Sequence, residues 1–227
     1  MPPLIFCDFD GTIMQNDTCL ELCARFVSND TWLALEDKWQ EGTVGSIEMA
    51  REVLASIRTP LAEILSFLEQ GEVCGGFVDF AHFCKKYTFP LIIVSDGYDT
   101  IIKRVLERLA LFSIPVYANT LFDFSQKHRY GLAGDFPHAN AGCLRCACCK
   151  RTIISRVSAT AAQSADGAWQ SVLIGDGRSD YCAARYAESV FAKGKLAELC
   201  RRENIPFIPW ENFNDVLAHP MFAQPEA

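Results

Sequence analysis

The chain has 227 residues, half of them hydrophobic, and a formal net charge of −7. That length suits one larger domain or a domain with a substantial insertion, and the acidic balance argues against nucleic acid or an anionic membrane as the main partner. No apolar run approaches the ~18 residues of a membrane span, and the N-terminus lacks the basic and long apolar segments of a secretory signal, so a cytoplasmic location is expected.

In chain order, Leu4-Ile5-Phe6-Cys7 predicts a buried strand, because an unbroken apolar run suits a parallel sheet covered on both faces. It ends in Asp8-Phe9-Asp10-Gly11-Thr12. Ligands gather beyond the carboxyl ends of such strands, and Phe9 turns the other way, so Asp8 and Asp10 can face one small volume. Two carboxylates that close need a cation, for which Mg²⁺ is the natural candidate. Taken alone, the same residues also fit a strand ending in an Asp-Gly turn.

Residues 17 to 87 read as helical. Segments Thr18–Val27 and Asp30–Asp37 are amphipathic, Ser46 can cap a helix carrying Ile47, Ala50, Val53, Leu54 and Ile57, and Thr59-Pro60 opens another. A last helix, Phe77 to Tyr87, leads back to a second buried strand, Leu91–Val94, followed by Ser95-Asp96-Gly97. A helix with Ile101, Ile102, Val105, Leu106 and Leu109, a strand at Pro115–Ala118 and a hairpin-like excursion over 120–136 come next. A cysteine-rich loop enters a helix near Lys150. Strand Ser171–Ile174 ends in Gly175-Asp176, a helix runs from Asp180 to Ala187, and Val190–Ala192, a helix over Leu196–Glu203 and Phe207-Ile208 complete the alternation. The expected fold class is α/β, a Rossmann-like, mainly parallel sheet with an inserted helical bundle.

Asp8-Phe9-Asp10-Gly11-Thr12 resembles the first motif of the haloacid dehalogenase-like (HAD) phosphatases. Ser95 after an apolar run, Lys150, and Gly175-Asp176-Gly177-Arg178-Ser179-Asp180 are similar to the other three motifs, in the same order. The resemblance implies a core over 1–14 and 77–227, with the excursion and cysteine loop at about 120–149, and a cap of subfamily I (type IB) over 15–76. It implies a Mg²⁺-dependent phosphomonoesterase acting on a small phosphorylated metabolite, as monomer or homodimer. Asp8 would be the nucleophile, giving an aspartyl-phosphate, and Asp10 the acid and then the base. The second aspartate favours phosphoryl transfer over dehalogenation. Asp8, the Asp10 carbonyl and Asp176 would bind the metal, with Asp180 holding a metal-bound water or orienting Lys150. Ser95, Asp96, Gly97 and Lys150 form the phosphate-binding set, with Asp96 expected to point away from phosphate or cap the helix.

The approach Gly142-Cys143 to Cys148-Cys149-Lys150, and the tail through Phe191-Ala192-Lys193 and Pro209-Trp210-Glu211-Asn212-Phe213, resemble the methylthiopentenyl-phosphate phosphatases of methionine salvage (the MtnX-like group). Gly175-Asp176-Gly177 with Asp180-Tyr181-Cys182 is also similar to the phosphoethanolamine/phosphocholine phosphatases. Asp17, nine residues after Asp8, matches the acidic substrate contact of phosphoserine phosphatases. Their arginine is not evident, Leu54 standing in its place and Arg51 one turn away. Asp17, Glu21 and Arg178 are the candidate substrate residues, Arg178 equally readable as solvated. Phosphoryl transfer as in related mutases, or a metal- or ligand-binding protein without catalysis, are the other classes.

Eleven cysteines fall below the density of a disulfide scaffold, and those on apolar faces read as small hydrophobes in a reducing compartment. Cys143, Cys146, Cys148 and Cys149, with His138 upstream, resemble a zinc ligand cluster, but the spacing is compressed and no second ligand pair completes it. Packed thiols are the favoured reading. The acidic net charge also means that a phosphate substrate must be drawn in by a local positive site.

Overall fold

The computed structural model describes residues 1–41, 43–125, 131–142, 145–163 and 169–223. β1 (Pro3–Cys7) is buried along its whole length, and its side chains alternate between two cores: Leu4 and Phe6 on one face of the sheet, Ile5 and Cys7 on the other. This is the period-2 pattern of a strand covered on both sides.

Four helices follow: α1 (Thr18–Phe26), α2 (Asn29–Glu41), α3 (Ser46–Ser56) and α4 (Leu61–Leu68). Gly45 rather than Ser46 is the N-cap of α3, because the Ser46 hydroxyl accepts a hydrogen bond from the Trp39 indole N–H at 2.9 Å. The chain leaves the sheet past Met14 and returns past Val73, and these residues form an antiparallel bridge. The Cys74 N–H donates to the Ile13 carbonyl and the Gln15 N–H to Glu72. The helices share a core with Tyr98, Ile101, Leu121 and Leu132, so they rest on the main body.

α5 (Phe77–Lys86) leads into β2 (Leu91–Tyr98), then α6 (Asp99–Arg108), β3 (Val116–Asp123) and β4 (Leu132–Asp135). β3 runs past the expected Ala118 and pairs antiparallel with β4, which is the excursion. α7 (Lys150–Ala162), β5 (Gln170–Gly175), a 3-10 turn over Arg178–Asp180, α8 (Tyr181–Ala184), β6 (Ser189–Ala192), α9 (Gly194–Arg202), β7 (Ile208–Pro209) and α10 (Phe213–Ala218) complete the described chain. The helix expected over 180–187 is thus a short turn and four helical residues.

The strand order is β4-β3-β2-β1-β5-β6-β7, parallel except for β3–β4. The chain crosses from β1 to β2 on one side and later to β5 on the other. The carboxyl end of β1 is therefore the topological switch point, where open α/β sheets bind ligands. Most cysteines fill the cores: Cys7 and Cys84 on one face of the sheet, Cys148 and Cys200 on the other, Cys23 among the helices. Burial pushes the Cys84 and Cys23 thiols up to about 12, keeping them protonated as packing groups. No helix among the described residues is long and apolar enough to cross a membrane.

Candidate active site

Asp8 follows β1 and Asp176 follows β5, and the Asp8 N–H donates to the Ile174 carbonyl at 2.9 Å. Adjacent parallel strands thereby bring side chains 168 positions apart to one point. Lys150, the first residue of α7, joins them from the sheet face on which α7 packs with Leu4 and Phe6. Its ammonium lies 2.6 Å from Asp8 Oδ1 and 2.7 Å from Asp180 Oδ1. Asp8 Oδ1 also accepts from the Phe9 N–H at 2.7 Å, so this oxygen is fixed by two contacts, and Asp8 lines the cleft.

One oxygen from each of Asp8, Asp176 and Asp180 lies within 4.8 Å of the others. Three carboxylates here face one ammonium, an excess of two negative charges in a buried volume. Burial first, and then the Asp180 charge, raise Asp8 well above the usual carboxylate range, and the same two causes push Asp176 up to about 6. Hard oxygen donors with this deficit of positive charge suit a small divalent cation.

Asp10 is placed differently. Its Oδ1 accepts from the Thr18 N–H at 2.8 Å and the Thr18 hydroxyl at 2.6 Å, which draws the side chain toward the helical insert. The carboxylate trio therefore contains Asp180, and the Asp10 carboxylate groups instead with Asp17 and Cys19. Burial, reinforced by Asp17 and opposed by the Thr18 hydrogen bonds, pushes Asp10 up to about 7. A carboxyl group titrating near neutrality can both give and take a proton.

Ser95 and Gly97 depart from expectation in their setting. They lie within β2, which runs to Tyr98, and the helix begins only at Asp99. Between Val94 and Tyr98 the β2–β3 register shifts; such a bulge takes residues off the ladder and re-aims them. The Ser95 hydroxyl accepts from the Gly97 N–H at 2.9 Å. A Cβ on Gly97 would lie 2.8 Å from Asp10 Oδ2, so only glycine lets Asp10 and Ser95 share this corner.

Asp96, placed in the phosphate-binding set, faces away from it. Its Oδ1 accepts from the Cys148 N–H at 2.5 Å, and the Asn119 amide donates to its carbonyl at 2.6 Å. Burial pushes it up to about 6, held down by the Cys148 amide, Lys150 and the Ala147 amide. Asp96 thus ties β2 to the segment that delivers Lys150.

Asp17 caps α1, accepting from the Leu20 N–H at 2.9 Å, and lines the cleft. Glu21 does not line it; its carboxylate accepts from the Asn16 amide at 2.8 Å. Arg178 is exposed but on the cleft wall. Arg51 stacks over Phe136 and Leu54 is fully buried. Cys143 lies outside the described residues. Among those described, Cys146, Cys148 and Cys149 are buried and do not converge as a set of metal donors. The Cys149 sulfur accepts from the Thr152 hydroxyl at 3.1 Å, and the Cys148 thiol faces the Tyr117 carbonyl.

Several contributors had no assigned role in the sequence reading. Thr12 donates to Asp176 Oδ1 at 3.1 Å. Gly11 has φ +68, and a Cβ there would run into the Asp176 carboxylate, so the glycine of the first motif makes room for the aspartate of the last. Gly175 does the same for Asp180, whose Oδ2 lies 2.5 Å from where its Cβ would be. Thr18 as the partner of Asp10 carries no sequence signal beyond its place at a helix start.

The cleft beside this cluster holds about 330 Å³, room for a small metabolite. Its far wall is apolar, built by Leu20, Trp32, Trp39, Met49 and Val53 from the helical insert.

A family model described as Putative Phosphatase matches residues 3–193. A 2-hydroxy-3-keto-5-methylthiopentenyl-1-phosphate phosphatase of Geobacillus kaustophilus is 31% identical over 94% of this chain and 93% of its own. One from Bacillus velezensis is 29% identical over 94% of this chain and 88% of its own. Among solved structures, a phospho-aspartyl intermediate analogue of phosphoserine phosphatase superposes with a TM-score of 0.68 at 18% identity, over 95% of this chain and 97% of that one. A HAD family hydrolase from Salmonella enterica serovar Typhi gives 0.71 at 19%, over 96% and 71%. Motif order, sheet topology and a match reaching from β1 past β6 agree: the chain belongs to the Putative Phosphatase family, phosphoric monoester hydrolases built on the HAD fold.

Proposed function

We propose that the protein hydrolyses a small phosphate monoester with an apolar, thioether-bearing leaving group, the chemistry named for its methionine-salvage relatives. The observation that carries the catalytic reading is Lys150 held between Asp8 and Asp180 beside Asp176, open to a cleft through Asp8 and Asp10. Asp8 Oδ2 attacks phosphorus, forming an Asp8–phosphorus bond as the ester P–O bond breaks. Asp10, protonated near neutrality, gives its proton to the departing alkoxide; then, ionised, it takes one from the water that cleaves the acyl phosphate. Lys150 keeps Asp8 ionised and oriented. Ser95 and the backbone at Gly97 hold phosphate oxygens. Asp8, Asp176 and the Asp10 carbonyl would hold Mg²⁺, which supplies charge neutralisation at the phosphoryl group when bound. In domain terms, residues 15–76 are the cap, whose closure over the cleft excludes water.

The substrate reading rests on the apolar wall. Trp32, Trp39 and Met49 line it, and thioether sulfur packs favourably on aromatic rings. A second reading comes from Glu36, which stands between the two tryptophans on α2 and also lines the cleft. Indole faces with a carboxylate suit an alkylammonium group, as in phosphocholine. A phosphate-release panel of the methylthiopentenyl ester, phosphoserine, phosphoethanolamine and phosphocholine separates them. The thioether ester should lead in kcat/KM by about tenfold or more, each buried CH₂ contributing ~0.8 kcal/mol. A lead for phosphocholine overturns the thioether assignment. EDTA should abolish release and Mg²⁺ restore it; release unaffected by chelation would remove the metal from the scheme.

Asp96 acts here by positioning Lys150. Asp96→Ala should lower kcat by about 10²-fold, the cost of misplacing a catalytic group by ~1 Å, with KM changed far less. Asp96→Asn keeps an acceptor for the Cys148 amide and should recover most of it. Equal kcat in wild type and Ala variant would show that the tie is dispensable.

A further inference from the structure

The acidic chain must admit a dianion into a cleft lined by six acidic residues, Asp8, Asp10, Asp17, Glu36, Asp96 and Asp176. Lys150 does not offset this at the entrance, since it is buried and already bound to Asp8 and Asp180. The cations on the cleft wall among the described residues are Arg145 and Arg178. They come from separate segments. Arg145 precedes the buried run Cys146–Cys149 that enters α7, and Arg178 stands in the 3-10 turn between Asp176 and Asp180.

Both side chains are exposed, and among the described residues neither takes part in an ion pair or a hydrogen bond. Their guanidinium forks are therefore available to a visitor. Glu198 feels the Arg178 charge but is already paired with Lys195 at 2.6 Å. Planar, permanently charged guanidinium groups match phosphate oxygens two at a time. A local cationic spot beside low-dielectric walls raises the encounter rate of an anion even where the whole-protein field opposes it.

We propose that Arg145 and Arg178 form an anion-receiving pair on the cleft wall, which captures the phosphate of the incoming ester before Asp8 engages it. This rests on the phosphatase reading above. The pair acts on arrival and not on bond breaking, because the chemistry has its own cation in Lys150.

The test compares wild type with Arg145→Gln, Arg178→Gln and the double variant, all at exposed positions that leave the core untouched. Each single change should raise KM by about three- to tenfold with kcat lowered less than twofold, as removal of a rim charge acts on association and on its salt dependence. In the double variant, kcat/KM should no longer fall with salt between 50 and 300 mM, about where screening sets in, and should hold or rise as the remaining acidic field is screened, whereas wild type loses activity over that range. Arg178→Lys, which keeps the charge and loses the fork, should restore the salt dependence but only part of the KM. Titration with inorganic phosphate in the presence of Mg²⁺ should show a Kd raised by the same factor as KM. Unchanged KM and salt dependence in the double variant, or a fall in kcat at constant KM, overturns the proposal. Should wild type release no phosphate from any ester, the phosphatase reading fails by itself, and the phosphate titration still decides: equal Kd for wild type and double variant overturns the arginine pair, a weakened one supports it.

Discussion

Asp8→Asn should abolish turnover, by about 10⁴-fold or more as for loss of other covalent nucleophiles, and should at the same time leave the metal-free protein as stable as wild type or more so. The first half follows from chemistry: an amide oxygen is a poor nucleophile toward phosphorus, and Asp10 is engaged with Thr18 and cannot replace it. The second half follows from the sign of the Asp8 shift. Burial and the Asp180 charge raise its pKa in the folded state. A carboxyl group with a raised folded pKa costs stability as pH climbs from its unfolded value through the folded one, and the cost is fully present above it. Wherever Asp8 is ionised, the asparagine removes a buried charge repelled by Asp180 and Asp176, and it surrenders only one of two contacts to Lys150. Thermal melts in EDTA at pH 7.5 should therefore give a Tm no lower than wild type. Mg²⁺ should raise the wild-type Tm by linkage and that of the variant less. Residual phosphate release within tenfold of wild type would remove Asp8 as nucleophile. A large drop in Tm would instead make Asp8 a structural residue.

How much of this was legible beforehand differs by kind of information. Buried strands could be read from Leu4–Cys7, Leu91–Val94 and Ser171–Ile174 because a strand covered on both faces is a continuous apolar run, and the switch point then located Asp8 and Asp176. Lys150 could be placed through the order of motifs, which also offered Asp8 and Asp180 as its neighbours, whereas the one ammonium shared by both at 2.6 and 2.7 Å leaves no local trace in the sequence. Side-chain surroundings were harder to read. Ser95 was expected past the end of its strand because the apolar run stops at Val94, whereas a bulge keeps Ser95 to Tyr98 in β2 while taking residues off the ladder. Asp96 was expected to point away from phosphate because a carboxylate there would repel it, and it does, but the partner that sets its direction, the Cys148 amide on a distant loop, could not be read. Spacing let the Asp8 and Asp10 carboxylates face one small volume, and the resemblance gave only the Asp10 carbonyl to the metal; that Thr18 draws the Asp10 side chain aside left no signal. Glu21, named with Asp17 as a candidate substrate residue, is not among the residues lining the cleft and instead accepts from the Asn16 amide.

Lys150→Met should have the opposite thermodynamic signature to Asp8→Asn. The ammonium is 1% exposed and satisfies two carboxylates at once. Methionine fills much of the same volume but leaves Asp8 and Asp180 without a counter-charge. Removing one partner from a buried ion pair costs about 3–5 kcal/mol, which for a domain of this size is a Tm lowered by about 6–20 °C. Turnover should vanish as well, since nothing then holds Asp8 ionised. The pH dependence identifies the cause. Attraction from Asp180 and Asp8 raises the Lys150 pKa against the effect of burial, so its contribution is fully present below its unfolded value and is lost only as pH rises through the folded one. Wild type therefore keeps this stabilisation across pH 5 to 9. In the variant, the carboxylates escape repulsion only by taking up protons, so the gap in Tm should be widest at pH 8–9 and should narrow as pH falls toward 5. A gap that stays constant with pH would assign the loss to packing instead of charge. Mg²⁺ should close part of the gap at high pH, because a divalent ion held by Asp8 and Asp176 would restore positive charge beside Asp180 even though it cannot restore the orientation of Asp8.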